Sequence, residues 1–240
     1  GNNILEILNY KEEIEKEIQH IENLDEYNQK LKKELKQIKE QMTKLAINIH
    51  KLREEYAKVL GININKILED LEMKNAKINI HVDYKEKEFF ENGKDEVEFY
   101  ITTNLGEDEK QLSKIASGGE MSRIMLAIKK VLADTDKMPV LIFDEIDTGI
   151  SGKAEKAVGE KMILISKKLQ VICITHLATI AAKGDSNYYV SKNVVKQATV
   201  TDIRKLKENE IIEEIAKMTN GEVTETSKKH AMELRLANVG

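Results

Sequence analysis

Ser117-Gly118-Gly119-Glu120 opens a predicted helix 20 residues ahead of an apolar strand, Val140-Leu141-Ile142-Phe143, that ends in Asp144-Glu145. A second apolar strand, Val171-Ile172-Cys173-Ile174, runs into Thr175-His176. Each piece has a plain explanation. Ser117 with Glu120 three residues later fits a capping box. Two carboxylates at a strand end fit an exposed turn, because carboxylates are normally exposed. A single histidine after a strand is more often a structural hydrogen-bonding residue than a catalyst. The glycines argue for more. In a first turn glycine costs about 1 kcal/mol against alanine. Bare backbone at a helix N-terminus lets an anion reach the free N–H groups, helped by the helix dipole. A hydroxyl, two glycines and a helix start together form a phosphate-reading surface. Asp144 and Glu145 then supply what phosphate chemistry requires: one carboxylate for Mg²⁺ and one to orient or deprotonate a water. At the carboxyl edge of a parallel sheet, where ligands bind, His176 gains weight as a site residue. A Cys173–His176 nucleophile pair is a poor alternative, because Cys173 belongs to a buried strand.

One component is missing. No Gly-x-x-x-x-Gly-Lys-Ser/Thr phosphate loop occurs in the 240 residues. The residues make up half of a nucleotide site.

The rest of the chain is built to position that half-site. Charged residues are 33% and aromatics 5%, with no Trp and one proline, Pro139. This is the balance of a long solvated helix joined to a modest core. The net charge of −4 gives no argument for nucleic-acid binding by the chain as a whole. The basic clusters Arg204-Lys205 with Lys207, and Lys228-Lys229, read as solvated surface. A single cysteine rules out an internal disulfide and fits a reducing compartment. No apolar run approaches the roughly 18 residues of a membrane span, and no signal peptide is present. The chain opens at Gly1, without Met and inside a helical pattern, and so reads as a piece of a longer protein.

Residues 1–60 read as a coiled-coil arm. Leu31, Leu35, Ile38, Met42, Leu45, Ile49, Leu52 and Tyr56 alternate in steps of four and three, a heptad seam. Ile14, Ile18 and Ile21 are out of phase with it, so the coil is expected to overwind or break near Asp25–Asn28. No later segment can pair with this seam; its partner is another chain or another part of the same protein. Gly61 is expected to break the long helix, with a short amphipathic helix Ile64–Met73 after it. Residues 61–240 read as a head lobe. It starts with a hairpin of 76–84 and 96–103, with an Asn92-Gly93 turn signal between the strands. Helix and strand then alternate from Gly118 to Thr175, as in an α/β parallel sheet with flanking helices. Strands at 187–191 and 198–206 and helices at 208–218 and 226–237 complete the chain.

In order and spacing, these motifs resemble the C-terminal lobe of an ATPase of the ATP-binding-cassette and SMC type. Three stretches make the resemblance specific: Lys114-Ile-Ala-Ser-Gly-Gly-Glu-Met-Ser-Arg-Ile-Met-Leu-Ala, Leu141-Ile-Phe-Asp-Glu-Ile-Asp-Thr-Gly-Ile-Ser-Gly, and Ile174-Thr-His-Leu. Together with Thr102–Gly106 and Tyr188–Lys192, they resemble the RecN family of bacterial DNA-repair ATPases from about Tyr56 to Leu236. The resemblance implies an N-terminal lobe bearing the phosphate loop, joined to this one by a folded-back coil. It implies a dimer with a second copy, closed by ATP and opened by hydrolysis. Ser117, Gly118 and Gly119 would read the γ-phosphate of ATP held by the partner. Asp144 would hold Mg²⁺, Glu145 would be the base and His176 a switch residue on the γ-phosphate. Ser151 falls where most SMC proteins carry a coupling aspartate, and Asp147 lies four residues earlier, so either could couple the two sites. The implied role is double-strand-break repair and recombination on DNA, in the cytoplasm at the bacterial nucleoid and away from membranes. The rivals are the head of another SMC-type chromosome-organising ATPase and a non-enzymatic coiled-coil scaffold with a degenerate head. Asp147-Thr-Gly-Ile-Ser-Gly152 weighs against the first, and intact Ser117, Asp144, Glu145 and His176 weigh against the second.

Overall fold

A computed structural model describes residues 3–104, 106–115, 117–135, 138–195 and 198–237; the side chains of 22, 25, 193–195, 198 and 199 are outside that description. Leu105, in the Thr102–Gly106 segment, and Ala116, in the stretch that starts at Lys114, therefore lie outside the described residues. The chain forms two compact units. One comprises the residues up to Tyr56 with Val82–Val97; the other comprises Ala57–His81 with the chain from Glu98 onward. No helix among the described residues is long and apolar enough to cross a membrane.

The first unit is built on helix α1, Ile4–Asp70, which continues into the second unit. The helix passes through Asp25–Asn28 without interruption, so the slip in the heptads does not break it. Its seam faces solvent throughout, from Ile49 at 36% exposure to Tyr56 at 67%. The tip of a β-hairpin is fastened to α1 by charge. Asp95, whose side chain is fully buried, accepts from Arg53 Nη1 at 2.9 Å and lies 2.8 Å from His50 Nδ1. Arg53 Nη2 also donates to the carbonyl of Asn92 at 2.8 Å. The turn itself is Glu91-Asn92, one residue before the expected Asn-Gly centre; Gly93 follows it at φ +126°, a conformation that suits glycine, and exchanges backbone hydrogen bonds with Phe90. Lys94 is buried with its ammonium 4.2 Å from the Phe89 ring centroid.

In the second unit the expected break at Gly61 does not occur: α1 runs on to Asp70. Ile64, Leu68 and Leu71 are fully buried in the main core beyond the glycine. Burying one such side chain is worth about 1.5–3 kcal/mol, against about 1 kcal/mol for a helical glycine, so packing wins. The helix stops at Glu72 instead, in the left-handed conformation (φ 59°), where Met73 N donates back to Leu68 O at 2.9 Å. Asn65 brackets strand β1 by donating to Ile78 O and accepting from Ile78 N.

Strands β1 (Lys77–Tyr84), β2 (Asp95–Thr102) and the two-residue β3 (Lys110–Gln111) form one sheet in that order. Helix α2 (Gly118–Leu132), β4 (Val140–Phe143), α3 (Lys153–Ser166) and β5 (Gln170–Cys173) follow. β4 and β5 pair in parallel, from Val140↔Gln170 to Phe143↔Cys173. The α/β alternation is as expected, but among the described residues the parallel part is two strands wide. A short helix α4 (Ala178–Ala181) leads to an antiparallel ribbon, β6 (Tyr188–Val195) with β7 (Ala198–Lys205). Helices α5 (Glu208–Asn220) and α6 (Glu225–Leu236) close the chain over a second small core of Leu206, Ile211, Ile215, Ala216 and Ala231. Arg204 and Lys228, from the two basic clusters, pair with Glu210 and Glu213 on this surface.

Candidate functional site

Sequence spacing puts Ser117 at the N-cap of α2, and the structure places it there, accepting from Glu120 N at 3.4 Å. That contact is long for a capping bond, and Ser117 and Gly118 are exposed. Gly119 is buried for a different reason. A Cβ there would lie 3.0 Å from Thr148 O and 3.1 Å from Glu145 O, both backbone atoms. Helix α2 can approach the loop after β4 this closely only through glycine. Gly119→Ala is therefore expected to destabilise the protein by about 1–3 kcal/mol, the usual cost of overpacking, read as a lowered midpoint in a thermal or urea melt.

The loop beyond β4 is held by α2 at successive carbonyls. Ser122 Oγ donates to Asp144 O at 2.7 Å. Arg123 Nη1 donates to Ile146 O at 3.3 Å and to Thr148 O at 2.8 Å. Arg123 is 7% exposed, and burial pulls its guanidinium below its ordinary pKa, partly offset by Glu120. Between the held carbonyls, Glu145 sits in the left-handed conformation at φ 57°, a costly state for a non-glycine residue that persists only where its surroundings impose it. Its carboxylate lies over Gly118, where a Cβ would collide with Oε2. The carboxylate thus rests at the N-terminus of α2, where the helix dipole favours negative charge. Asp144 is exposed, and its Oδ1 accepts from Glu145 N at 2.9 Å.

Asp147 takes a different place from its neighbours. It is 3% exposed, and its Oδ2 accepts from Thr175 Oγ1 at 2.5 Å and His176 N at 2.8 Å, and lies 3.1 Å from His176 Nδ1. The ring of His176 is held by Nδ1 and exposed on its other side, the side chain being 70% accessible. Ser151 is exposed on the same loop. Cys173 is half-buried, and burial, with Asp147 and Asp144 adding to it, pushes its thiol up to about 12. Such a thiol is not a nucleophile at neutral pH.

The structure thus gathers Ser117–Gly119 with Asp144 and Glu145, and Asp147 with His176. Sequence reasoning missed Ser122 and Arg123. Both lie inside the stretch Lys114–Ala127, but nothing in the chain order announced that their partners would be carbonyls 22 to 25 residues away. Among the described residues no three His, Cys, Asp or Glu side chains cluster as a metal site. Asp144 alone can offer Mg²⁺ a single carboxylate, which fits an ion held mainly by water and phosphate. The two glycines that open α2, at the positive end of its helix dipole, fit a phosphate group.

No family model matches the chain. It is 39% identical to "DNA repair protein RecN" of Bacillus subtilis over 98% of its own length and 43% of that protein. It is likewise 39% identical to "DNA repair protein RecN" of Halalkalibacterium halodurans, over 98% of the chain and 42% of that protein. The chain thus spans about two fifths of the length of these relatives. In fold it is similar to an SMC head domain with a coiled coil and joint from Pyrococcus yayanosii, with a TM-score of 0.51 at 20% identity, covering 70% of this chain and 30% of that one.

Proposed function

Because the chain corresponds to the C-terminal part of the RecN family of SMC-like ATPases, we propose that it supplies half of an ATP-hydrolysing site that is completed by an N-terminal phosphate-loop lobe and by a second copy. The observation that carries the proposal is a glycine-opened helix start together with the Asp144–Glu145 pair at the end of β4, in a chain that has no phosphate loop.

One face of the β4–β5 pair supports the missing lobe. Leu141 and Phe143 point into the core, while Ile142, Ile172 and Ile174 are 66%, 43% and 57% exposed on the other side. Parallel strands are normally covered on both faces. The N-terminal lobe is the cover, and residues 61–240 act with it as one head. The exposed seam of α1 pairs with the returning strand of the coil.

In the closed dimer, Ser117, Gly118 and Gly119 bind the γ-phosphate held by the opposite subunit. Glu145 accepts the proton of the water that attacks the γ-phosphorus, as ADP leaves. Asp144 would hold Mg²⁺, which would supply neutralisation of charge on the phosphates. His176 contacts the γ-phosphate through Nε2, with Asp147 fixing its ring from behind. Asp147 is thereby occupied within its own subunit, and the exposed Ser151 takes the contact across the dimer. The output is ATP-gated tethering of DNA in double-strand-break repair and recombination, in the cytoplasm.

The proposal is tested on the chain by itself. Without the nest of N–H groups and the lysine of a phosphate loop, it is expected to hydrolyse no ATP and to bind it no tighter than about millimolar. Titration calorimetry showing submillimolar binding would refute the half-site reading.

A further inference from the structure

We propose that Arg123, with Ser122, is a positioning residue that joins the phosphate-reading end of α2 to the loop carrying Glu145, so that the two composite sites of a dimer are mechanically coupled. This rests on the composite-site reading above. In that reading one subunit touches two nucleotides: Ser117–Gly119 meets the partner's, and Glu145 with His176 faces its own. Coupling requires these two groups to move together.

The contacts lie where such a device needs them. Ser122 holds the carbonyl just before Glu145, and Arg123 holds the carbonyl just after it together with that of Thr148. Two adjacent residues of α2 thus hold the carbonyls of Asp144 and Ile146, the two neighbours of a residue in a left-handed conformation. Gly119 closes the remaining gap against Glu145 O and Thr148 O. A shift of α2 toward a phosphate therefore carries the Glu145 backbone with it.

The choice of side chain points the same way. Arg123 is buried, and among the described residues its Nε has no hydrogen-bond partner and no carboxylate forms a direct ion pair with it, Glu120 acting only through its charge. Burying a guanidinium against neutral carbonyls is expensive, and an apolar side chain of similar volume would fill the space at lower cost. What the apolar side chain lacks is a donor: Nη1 alone, with its two N–H groups fixed in the guanidinium plane, donates to both carbonyls.

The test uses the intact protein, both lobes and coil included, with steady-state ATPase measurements on Arg123→Met, Arg123→Lys and Ser122→Ala, and Glu145→Gln run alongside. Wild type is expected to show a Hill coefficient above one. Arg123→Met should lower kcat by about 100-fold, the scale of a small misplacement of catalytic groups, with KM held within about twofold and the Hill coefficient falling to one. Arg123→Lys, which can still hold one carbonyl, should recover part of both kcat and cooperativity. Hydrogen exchange should show faster exchange in residues 144–150 of Arg123→Met before any nucleotide is added. A merely structural arginine would lower the melting temperature and leave kcat and the Hill coefficient of the folded enzyme unchanged, and that result overturns the proposal. So does a wild-type Hill coefficient of one. If Arg123→Met does not fold, Ser122→Ala decides: its side chain is only half-buried, and loss of kcat with unchanged KM supports the device, while unaltered kcat and cooperativity overturn it. Should Glu145→Gln abolish turnover while the α2 variants change nothing, this inference alone fails. Should Glu145→Gln turn over normally, the composite-site reading fails first.

Discussion

Replacing Glu145 by glutamine in the intact protein is expected to lower the hydrolysis rate by about 10²–10⁴-fold, the range that follows loss of a general base. Glutamine keeps the size of the side chain and its capacity to accept a hydrogen bond, but it cannot take a proton from water. The backbone that places residue 145 is held by neighbours rather than by its own side chain. Ser122 and Arg123 fix the flanking carbonyls, and Thr148 N donates to the carbonyl of residue 145 itself at 3.0 Å. The left-handed turn should therefore survive the substitution. ATP should still bind, and the closed dimer should accumulate because its exit step is blocked. Single-turnover measurements separate these effects: binding and closure near normal, chemistry slow. Near-normal turnover would remove Glu145 as the base. Asp147, the other carboxylate of the loop, is a weaker substitute than its sequence position implies, since it is buried and already accepts from Thr175 and His176.

The second large effect is expected at Ser117. If the hydroxyl only capped α2, Ser117→Ala would cost about 1 kcal/mol of stability and leave turnover alone. The 3.4 Å contact with Glu120 N makes it a weak cap, and the exposed position leaves its oxygen free for another partner. In the proposed dimer, Ser117→Arg would place a long cation where the partner's nucleotide enters. Turnover is expected to fall by at least about 100-fold, as when one preorganised donor to a reacting oxyanion is lost. Nucleotide affinity of a single intact head should be unchanged, because that pocket belongs to the other lobe. ATP-dependent dimerisation followed by sedimentation should disappear. Loss of ATP binding by the monomeric head would instead place Ser117 in its own head's pocket.

The site elements were legible in the sequence because each has a local signature. The N-cap at Ser117 follows from a hydroxyl before a helical run, and β4 from four apolar residues between Pro139 and two carboxylates. The hairpin, the ribbon strands and the last two helices follow from periodicity and turn residues in the same way. Three things were not legible, and each depends on tertiary contact. Gly61 is a helix breaker by propensity, yet burial of Ile64, Leu68 and Leu71 carries α1 through it. Asp147 looks like its neighbour Glu145 in the chain, but its direction at the end of β4 sends it inward to Thr175 and His176 on the adjacent strand's exit. Arg123 looks like one more surface cation on a helix. Its buried, carbonyl-bound state comes only from the close passage of α2 past the loop, which Gly119 permits. The short β3 and α4 contain too few residues for any periodicity to register.

The shared site itself is tested by mixing two inactive forms of the intact protein, Ser117→Arg and Glu145→Gln, and measuring ATPase activity against each alone. In a mixed dimer one composite site combines the altered Glu145 strand with the altered signature and is doubly damaged. The opposite site combines an unaltered Glu145 with an unaltered Ser117. The account predicts that turnover reappears on mixing and rises with the fraction of mixed dimers, provided one introduced arginine still lets the dimer close, which sedimentation of the mixture with ATP checks. Mixed dimers that form and close but stay as inactive as either parent would mean that Ser117 and Glu145 serve the same nucleotide, and would contradict it.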